Sequence, residues 1–368
     1  MKVLHLLTAG GLGGIEILNY DFGQYSKHEQ GYAFLFELGV TYERMLEAGY
    51  TVYDLSEYRP KICKERKNRI IDIAKKYDVI AVHHGDPYLK YYYSYVVKKI
   101  KHKGVAFIHS CWDETLFFPN NKIKNIYGKY LFQRAMNVSK KVIFVSKAGL
   151  ESYMSVYRLK NNTEIVYNGV GVDKIEAGKN NQIAANCPIR LVYIGRLEKI
   201  KGVDYLIRAL PEIRKEHDIR LTIVGNGSQI NELQNLAKEL FVSTIVDFKG
   251  GQSDICPYLS AGDIFVYPTI CKEVFGISLV EAMAYGLLCV SNRVGGIPEI
   301  LVDGKNGFMN NDISVEGLTL TIRRAICCLE KGTYSDIVQN AKETAQNFSI
   351  RNTCNRLDAI YEEIATGN

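Results

Sequence analysis

No stretch of this chain is long and apolar enough to cross a bilayer. The longest candidate, Gly276 to Val290, is broken by Glu281 and falls short of the roughly 18 to 20 residues a spanning helix needs. The first residues, Met1-Lys2-Val3-Leu4-His5-Leu6-Leu7, are too few for a signal peptide's apolar region. They lack a small-residue cleavage site and run straight into a glycine loop, so they read as the first strand of a cytoplasmic protein. The nine cysteines are scattered and odd in number, without a C-x-x-C pair, which argues against a disulfide framework and a structural zinc site and leaves reduced thiols that mostly pack. The chain has no Asp-x-Asp, no low-complexity tract and no repeat at the roughly 20 to 50 residue periods of solenoids and propellers.

What is present is a chain of 368 residues, 47% of them hydrophobic, which is too long for one ordinary core and predicts two domains. Its net charge of +6 is unevenly spread. Residues 1 to 186 hold 27 Lys+Arg against 18 Asp+Glu, and the remainder 19 against 22, so the first half is the basic one. The densest basic and aromatic segment is Lys98-Lys99-Ile100-Lys101-His102-Lys103, preceded by Tyr88, Tyr91, Tyr92, Tyr93 and Tyr95. It reads either as a solvated helix face or as a surface drawn to an anionic membrane or acceptor. Nucleic acid is not expected as a partner, because no recognised binding motif accompanies the charge.

Short β-branched and aliphatic runs alternate with helical patterns, as in parallel sheets built from βαβ units. The first half predicts strands at Val3 to Leu7, Tyr32 to Leu38, Val79 to His83, Val105 to His109, Val142 to Val145 and Glu164 to Tyr167. The second half predicts them at Arg190 to Ile194, Arg220 to Val224, Ile245 to Phe248, Ile264 to Tyr267, Leu288 to Ser291 and Gly307 to Met309. The expected fold is α/β, with two Rossmann-like, doubly wound parallel sheets. The boundary falls between Asn168 and Pro188, at a glycine turn followed by the polar Gly178-Lys179-Asn180-Asn181-Gln182. The domains are then 1–170 and 171–350, with a terminal helix over 351–368.

Ligands of open parallel sheets bind at the carboxyl ends of strands, so the residues just after each strand are the candidates. Gly10-Gly11-Leu12-Gly13-Gly14 follows the first strand and reads as an anion-binding loop at a helix N-terminus or as a plain tight turn. It does not fit G-x-G-x-x-G, because Glu16 stands where the third glycine belongs. His83 and His84 end one strand and His109 the next, two strand ends on one edge carrying hydrogen-bonding, titratable groups. In the second half, Gly195-Arg196-Leu197-Glu198-Lys199-Ile200-Lys201-Gly202 sets two cations beside a helix start, fit to clamp a diphosphate. Gly225-Asn226-Gly227 is a further strand-to-helix turn. Glu273 and Glu281, eight residues apart in Glu273-Val274-Phe275-Gly276-Ile277-Ser278-Leu279-Val280-Glu281, are too distant for an i, i+4 pair and suit different parts of one elongated ligand. Gly295-Gly296-Ile297-Pro298-Glu299 adds another glycine turn with a carboxylate.

With these residues the chain resembles the GT-B family of retaining glycosyltransferases known as glycosyl transferases group 1. The resemblance runs in order along nearly the whole chain, through Gly10 to Glu16, His109, Ser146-Lys147-Ala148, Asn168-Gly169-Val170, Gly195-Arg196 with Lys201-Gly202, Gly225-Asn226-Gly227, Glu273 with Glu281, and Gly295 through Glu299. It implies two domains facing across a cleft, acceptor on the first and nucleotide-sugar on the second, and a last helix, about Arg351 to Ile364, crossing back to the first. It implies that Arg196 and Lys201 neutralise the donor diphosphate, Glu281 holds the ribose, and Glu273 and His109 meet the donor sugar, with Phe248 beside the base. Gly13, Gly14, Gly225, Phe275, Gly276 and Ile277 join them as donor-side residues, with His83, His84 and Trp112 on the acceptor side.

The activity so implied is a retaining, metal-independent transfer of a hexose from a nucleoside diphosphate, UDP first, to a saccharide or lipid-linked saccharide, in polysaccharide or glycolipid synthesis. No cofactor is expected. Peripheral membrane contact through the basic N-terminal domain is. The chain departs from the family pattern at Ser110, where Asp is frequent after the histidine, and at Gly286-Leu287, where many relatives place a proline. Three other readings stay open: a catalytically silent partner subunit, a nucleotide-sugar epimerase that needs no acceptor, and a dinucleotide-dependent dehydrogenase, whose glycine fingerprint neither loop fits.

Overall fold

Runs such as Val79-Ile80-Ala81-Val82 and Ile264-Phe265-Val266-Tyr267 are apolar at every position and buried at every position, as expected of strands covered by helices on both faces. The computed structural model of the chain describes residues 1–11, 13–58, 61–83, 87–112, 121–160, 162–172 and 187–366. It divides into two compact units, Met1–Gly169 with Ile350–Asn368, and Val170–Ser349.

The first unit holds a seven-stranded sheet of β1 (Lys2–Leu7), β2 (Glu29–Phe34), β3 (Thr51–Asp54), β4 (Val79–Val82), β5 (Lys103–Ile108), β6 (Lys141–Phe144) and β7 (Thr163–Ile165), in the order β3-β2-β1-β4-β5-β6-β7. The second holds β8 (Ile189–Ile194), β9 (Ile219–Val224), β10 (Val246–Gly250), β11 (Ile264–Tyr267), β12 (Leu288–Asn292) and β13 (Phe308–Asn310), in the order β10-β9-β8-β11-β12-β13. Every pairing within the two sheets is parallel. In both sheets the strand order reverses once, between β1 and β4 and between β8 and β11, and there the flanking loops splay apart to leave a crevice for a ligand.

Sequence patterning predicted twelve of these strands and missed β3. That edge strand is short and half-exposed, so it lacks the apolar run that marks the others.

The helix Ile350–Thr366 buries Ile350, Cys354, Leu357, Ile360, Tyr361 and Ile364 in a cluster with Val3, Phe22, Val79, Val105 and Phe107. The end of the chain thus completes the core of the first unit. Gly169 makes the return possible, since a Cβ there would lie 2.5 Å from the Ile350 backbone. Among the described residues no helix is long and apolar enough to cross a membrane, and all nine cysteines are unpaired.

The tyrosine-rich segment is a surface only in part. In the helix Pro87–Lys99, Tyr92 and Tyr93 are fully buried. The Tyr92 hydroxyl donates to the Lys61 carbonyl at 2.8 Å and its ring lies under the Arg66 guanidinium. Tyr88, Tyr91 and Tyr95 are half-buried against the same core, and Lys98, Lys99 and Lys101 are exposed.

Candidate functional site

At the reversal point of the second sheet, the loop after β8 and the loop after β11 are laced together by backbone. The Ile200 carbonyl accepts from the amides of Ile270 at 3.1 Å and Cys271 at 3.3 Å. Gly202 adopts φ +65°, and a Cβ there would lie 2.3 Å from the Pro268 carbonyl oxygen, so only glycine lets the loops approach this closely. Two buried side chains at the end of β12 hold the β11 loop from the other side. Ser291 donates to the Tyr267 carbonyl at 2.8 Å, and the Asn292 amide donates to the carbonyls of Pro268 and Thr269 at 2.9 and 3.1 Å. Gly296 closes the frame, its N–H reaching the Glu273 carbonyl at 2.7 Å.

This frame presents a charged cluster. The Lys201 ammonium is paired with Glu273 Oε2, with side-chain exposures of 11% and 15%, and the Tyr267 hydroxyl donates to the same oxygen at 2.8 Å. Lys201 also lies 5.7 Å above the Tyr267 ring. Burial, followed by the Glu273 charge, holds the Tyr267 phenol well above its ordinary range, so it stays a donor at neutral pH. Arg196, immediately beyond β8, is exposed, and among the described residues its guanidinium has no hydrogen-bond or ion-pair partner. Its backbone is fixed, because Tyr193 donates to the Arg196 carbonyl at 2.8 Å. With Lys201 paired to a carboxylate, Arg196 is the exposed cation of the same loop, offset in part by Glu198.

Around the cluster, Gly225 follows β9 at φ +147° with its α-carbon face against the Gly195 carbonyl, where a Cβ would stand at 1.8 Å. The helix Ile277–Ala284 starts from Gly276 and carries Glu281, which is half-buried. The Phe275 side chain is buried and meets Phe348 edge to face at 5.3 Å. Gly276 caps that helix at φ +97°, and Ile277 is its first residue. Phe248 is half-buried against the second core at the end of the sheet.

At the reversal point of the first sheet the loop after β1 leads to Gly13, which caps the helix Gly14–Tyr25. Glu16 in the first turn folds back over Gly13, its Oε2 2.2 Å from where a Cβ would stand. Burial raises the Glu16 carboxyl above its usual range. A carboxylate thus already answers the positive end of this helix, and an anion arriving there competes with it.

His83 and His109 follow β4 and β5, and both are buried, at 0% and 9% exposure. They meet through His83 Nδ1 and His109 Nε2 at 3.0 Å, with the Phe107 ring stacked on His83 at 4.5 Å. The sequence did not single out His5, which lies inside β1 and meets His83 Nε2 through its Nδ1 at 2.8 Å. A histidine set within an apolar strand gives no local signal, and its partner is 78 residues away. Trp112 is a core side chain, edge to face with Tyr157 at 5.1 Å and beneath the Lys129 ammonium. His84 lies outside the described residues. Among the described residues no three His, Cys, Asp or Glu side chains cluster in a way that would hold a metal.

Two doubly wound units with a polar site at each reversal point define a GT-B fold. Residues 176–344 match the family model of glycosyl transferases group 1, and residues 37–174 that of glycosyltransferase family 4. Residues 176–344 thus belong to the group 1 glycosyltransferases, and the fold of the chain is GT-B. The chain is 30% identical over 176 residues to the N-acetyl-alpha-D-glucosaminyl L-malate synthase of Bacillus anthracis, covering 47% of this chain and 45% of that one. It is also 30% identical over 236 residues to a glycosyltransferase of Methanocaldococcus jannaschii, covering 60% and 59%. The matched regions thus span about half the length of these relatives. Among solved structures, HepE of Anabaena in complex with UDP superposes with a TM-score of 0.82 at 20% identity, over 99% of this chain and all of that one. The same protein has been solved with UDP-glucose.

Proposed function

We propose that the chain transfers a hexose, with retention of configuration and without a metal, from a nucleoside diphosphate to a saccharide or lipid-linked saccharide, in polysaccharide or glycolipid synthesis. The observation that carries the reading is the cluster of Arg196, Lys201, Glu273 and Tyr267 at the reversal point of the second sheet, where such folds take nucleotides. Arg196 and Lys201 answer the diphosphate and the charge that grows on it as the sugar departs. Glu281, half-buried on the helix that starts at Gly276, takes the ribose hydroxyls, and Glu273 the sugar hydroxyls. By the family resemblance His109 also meets the donor sugar. UDP is the proposed nucleotide, supported by the likeness to HepE, which was solved with UDP and UDP-glucose. In the proposed step the C1–O bond to the diphosphate breaks and the acceptor oxygen bonds C1 on the same face. A donor phosphate oxygen takes the acceptor's proton.

Peripheral contact with an anionic membrane belongs to the same reading. A surface other than the tyrosine-rich segment supports it. On the helix Lys122–Val138, Ile123, Ile126, Tyr127 and Tyr130 stand exposed at 81%, 69%, 48% and 55%, one stripe at i, i+3, i+4 and i+7 spacing. Lys122 and Lys124 are exposed beside it, and the helix has no acidic residue.

Thermal unfolding in EDTA with UDP, GDP, ADP or NAD tests the donor site. At about 100 times its dissociation constant a nucleotide stabilises the fold by roughly 2.7 kcal/mol. One nucleoside diphosphate is expected to stabilise the wild type and not an Arg196→Ala/Lys201→Ala double variant. No response to any of the three, or a response to NAD alone, overturns the reading in favour of a silent partner subunit or a dehydrogenase. If a donor is turned over without acceptor to an epimer, the epimerase reading replaces it.

A further inference from the structure

The buried histidines of the first unit form a directed chain that begins on the C-terminal helix. Asp358, 2% exposed, accepts the Ser26 hydroxyl at Oδ1 and the Lys27 N–H at Oδ2, at 2.6 and 3.0 Å. Ser26 Oγ in turn accepts the Gln30 side-chain amide at 2.9 Å. The same Gln30 nitrogen lies 2.9 Å from the His28 backbone carbonyl. A carbonyl can only accept, so this contact fixes which end of the Gln30 amide is nitrogen. Gln30 Oε1 therefore faces His5 Nε2, at 2.6 Å, and His5 must donate from Nε2.

The rest follows ring by ring. A neutral His5 has its lone pair at Nδ1, so His83 donates to it from Nε2 across 2.8 Å. His83 then has its lone pair at Nδ1, where it accepts from His109 Nε2 at 3.0 Å and from the Asn19 amide at 3.4 Å. The reverse order would set the His5 Nε2 lone pair against the Gln30 oxygen. A cationic ring is opposed as well. Burial pushes His5 down to about 4, and burial with the neighbouring His5, His109 and Lys90 charges holds His83 well below its ordinary value. The chain cannot carry a proton through, because the Gln30 amide at its far end does not exchange one as an imidazole does. Its capacity is to orient.

We propose that Asp358, Ser26, Gln30, His5 and His83 act as positioning residues that fix His109 in the Nε2–H tautomer, leaving Nδ1 as its basic nitrogen. Nδ1 is a buried atom, and in neutral His109 it can only accept, so whatever meets it must donate, as a sugar hydroxyl can and a phosphate or carbonyl oxygen cannot. This consequence rests on the reading of His109 as a donor-sugar contact. The tautomer itself does not.

Histidine-selective 15N labelling of the full chain, read by long-range 1H–15N correlation at pH 7.5, tests the assignment, with His109 identified by the signals lost in His109→Asn. The expected wild-type spectrum shows a protonated Nε2 and an unprotonated Nδ1 for His109. A Gln30→Met variant keeps the side-chain length but removes the acceptor, and its His109 nitrogens are expected to shift toward the average of two tautomers. Nδ1–H or an averaged ring in the wild type overturns the proposal, as does an unchanged single tautomer in Gln30→Met. If Gln30→Met does not fold, the wild-type spectrum alone decides. Stabilisation by UDP, measured on the same samples, reports on the second unit and separates failure of the relay from failure of the donor site.

Discussion

Lys201 and Glu273 neutralise each other, and this sets what a diphosphate meets on arrival. In the proposed donor site an approaching anion would be attracted by Arg196 and Lys201 and repelled by Glu273, whose carboxylate is 15% exposed. Removing one charge at a partly solvated site is worth about 1 kcal/mol, or roughly fivefold in affinity. Glu273→Gln is therefore expected to bind the free nucleoside diphosphate about fivefold more tightly by calorimetry, while transferring sugar more slowly than wild type. A weaker-binding Glu273→Gln would mean that the carboxylate serves the nucleotide mainly by holding Lys201 in place. The sequence made Lys201 and Glu273 legible as separate candidates, because glycine turns and strand ends flag them locally. Their pairing was not legible, since it joins residues 72 apart through the Ile200 carbonyl and the glycine contact at Pro268. Tyr267 was legible as a strand residue but not as the donor that completes the pair.

At the scale of elements, the helix Pro87–Lys99 brings a charge where the sheet has no room for one. Lys90 is 1% exposed, its ammonium donating to the His83 carbonyl at 3.1 Å and lying 5.3 Å from the Phe132 ring centre. Burial pushes it down to about 7 from 10.5, and His5 down to about 4 from 6.5. In both windows the unfolded chain binds more protons than the folded one, so stability rises with pH. The His5 share is present in full above about pH 6.5 and lost as pH falls toward 4. The Lys90 share grows from about pH 7 upward. Above about pH 8.5 the buried thiols Cys289 and Cys354, and nearer pH 10 the buried Tyr32, Tyr92 and Tyr93, reverse the trend, because burial raises them in the fold while their unfolded counterparts ionise. Urea melts are expected to show stability rising from pH 7 to about 8.5, where unfolded thiols begin to ionise. Lys90→Met, which fills the site without a charge, is expected to be more stable than wild type at pH 7 by about 1–4 kcal/mol and to lose that rise. A wild type with no slope across the window would mean that the ammonium is solvated in solution.

The two units also differ as whole bodies. The first, with the C-terminal helix included, holds 27 Lys+Arg and 19 Asp+Glu, a surplus of +8; the second holds 19 and 21, for −2. The sequence carried this asymmetry and marked the segment up to Lys103, but it could not show that Tyr92 and Tyr93 within it are core residues beneath Arg66 and beside Ser139. Exposure, which depends on the fold, adds an apolar and basic surface on the helix Lys122–Val138. Charge of this kind acts within a Debye length, about 10 Å at 0.1 M salt, whereas each isoleucine that enters the interface adds up to roughly 1.5–3 kcal/mol independently of salt. The two contributions can therefore be separated. Wild-type protein is expected to float with vesicles rich in phosphatidylglycerol at low salt, and less so at 0.5 M, a test concentration at which that length is roughly halved. Ile123→Ser/Ile126→Ser is expected to reduce flotation at both salts, by about tenfold or more, without changing nucleotide binding. Equal flotation of the variant and the wild type would assign the attraction to the unit's overall charge. No flotation of the wild type at low salt would remove membrane contact and leave a saccharide acceptor that is not lipid-linked.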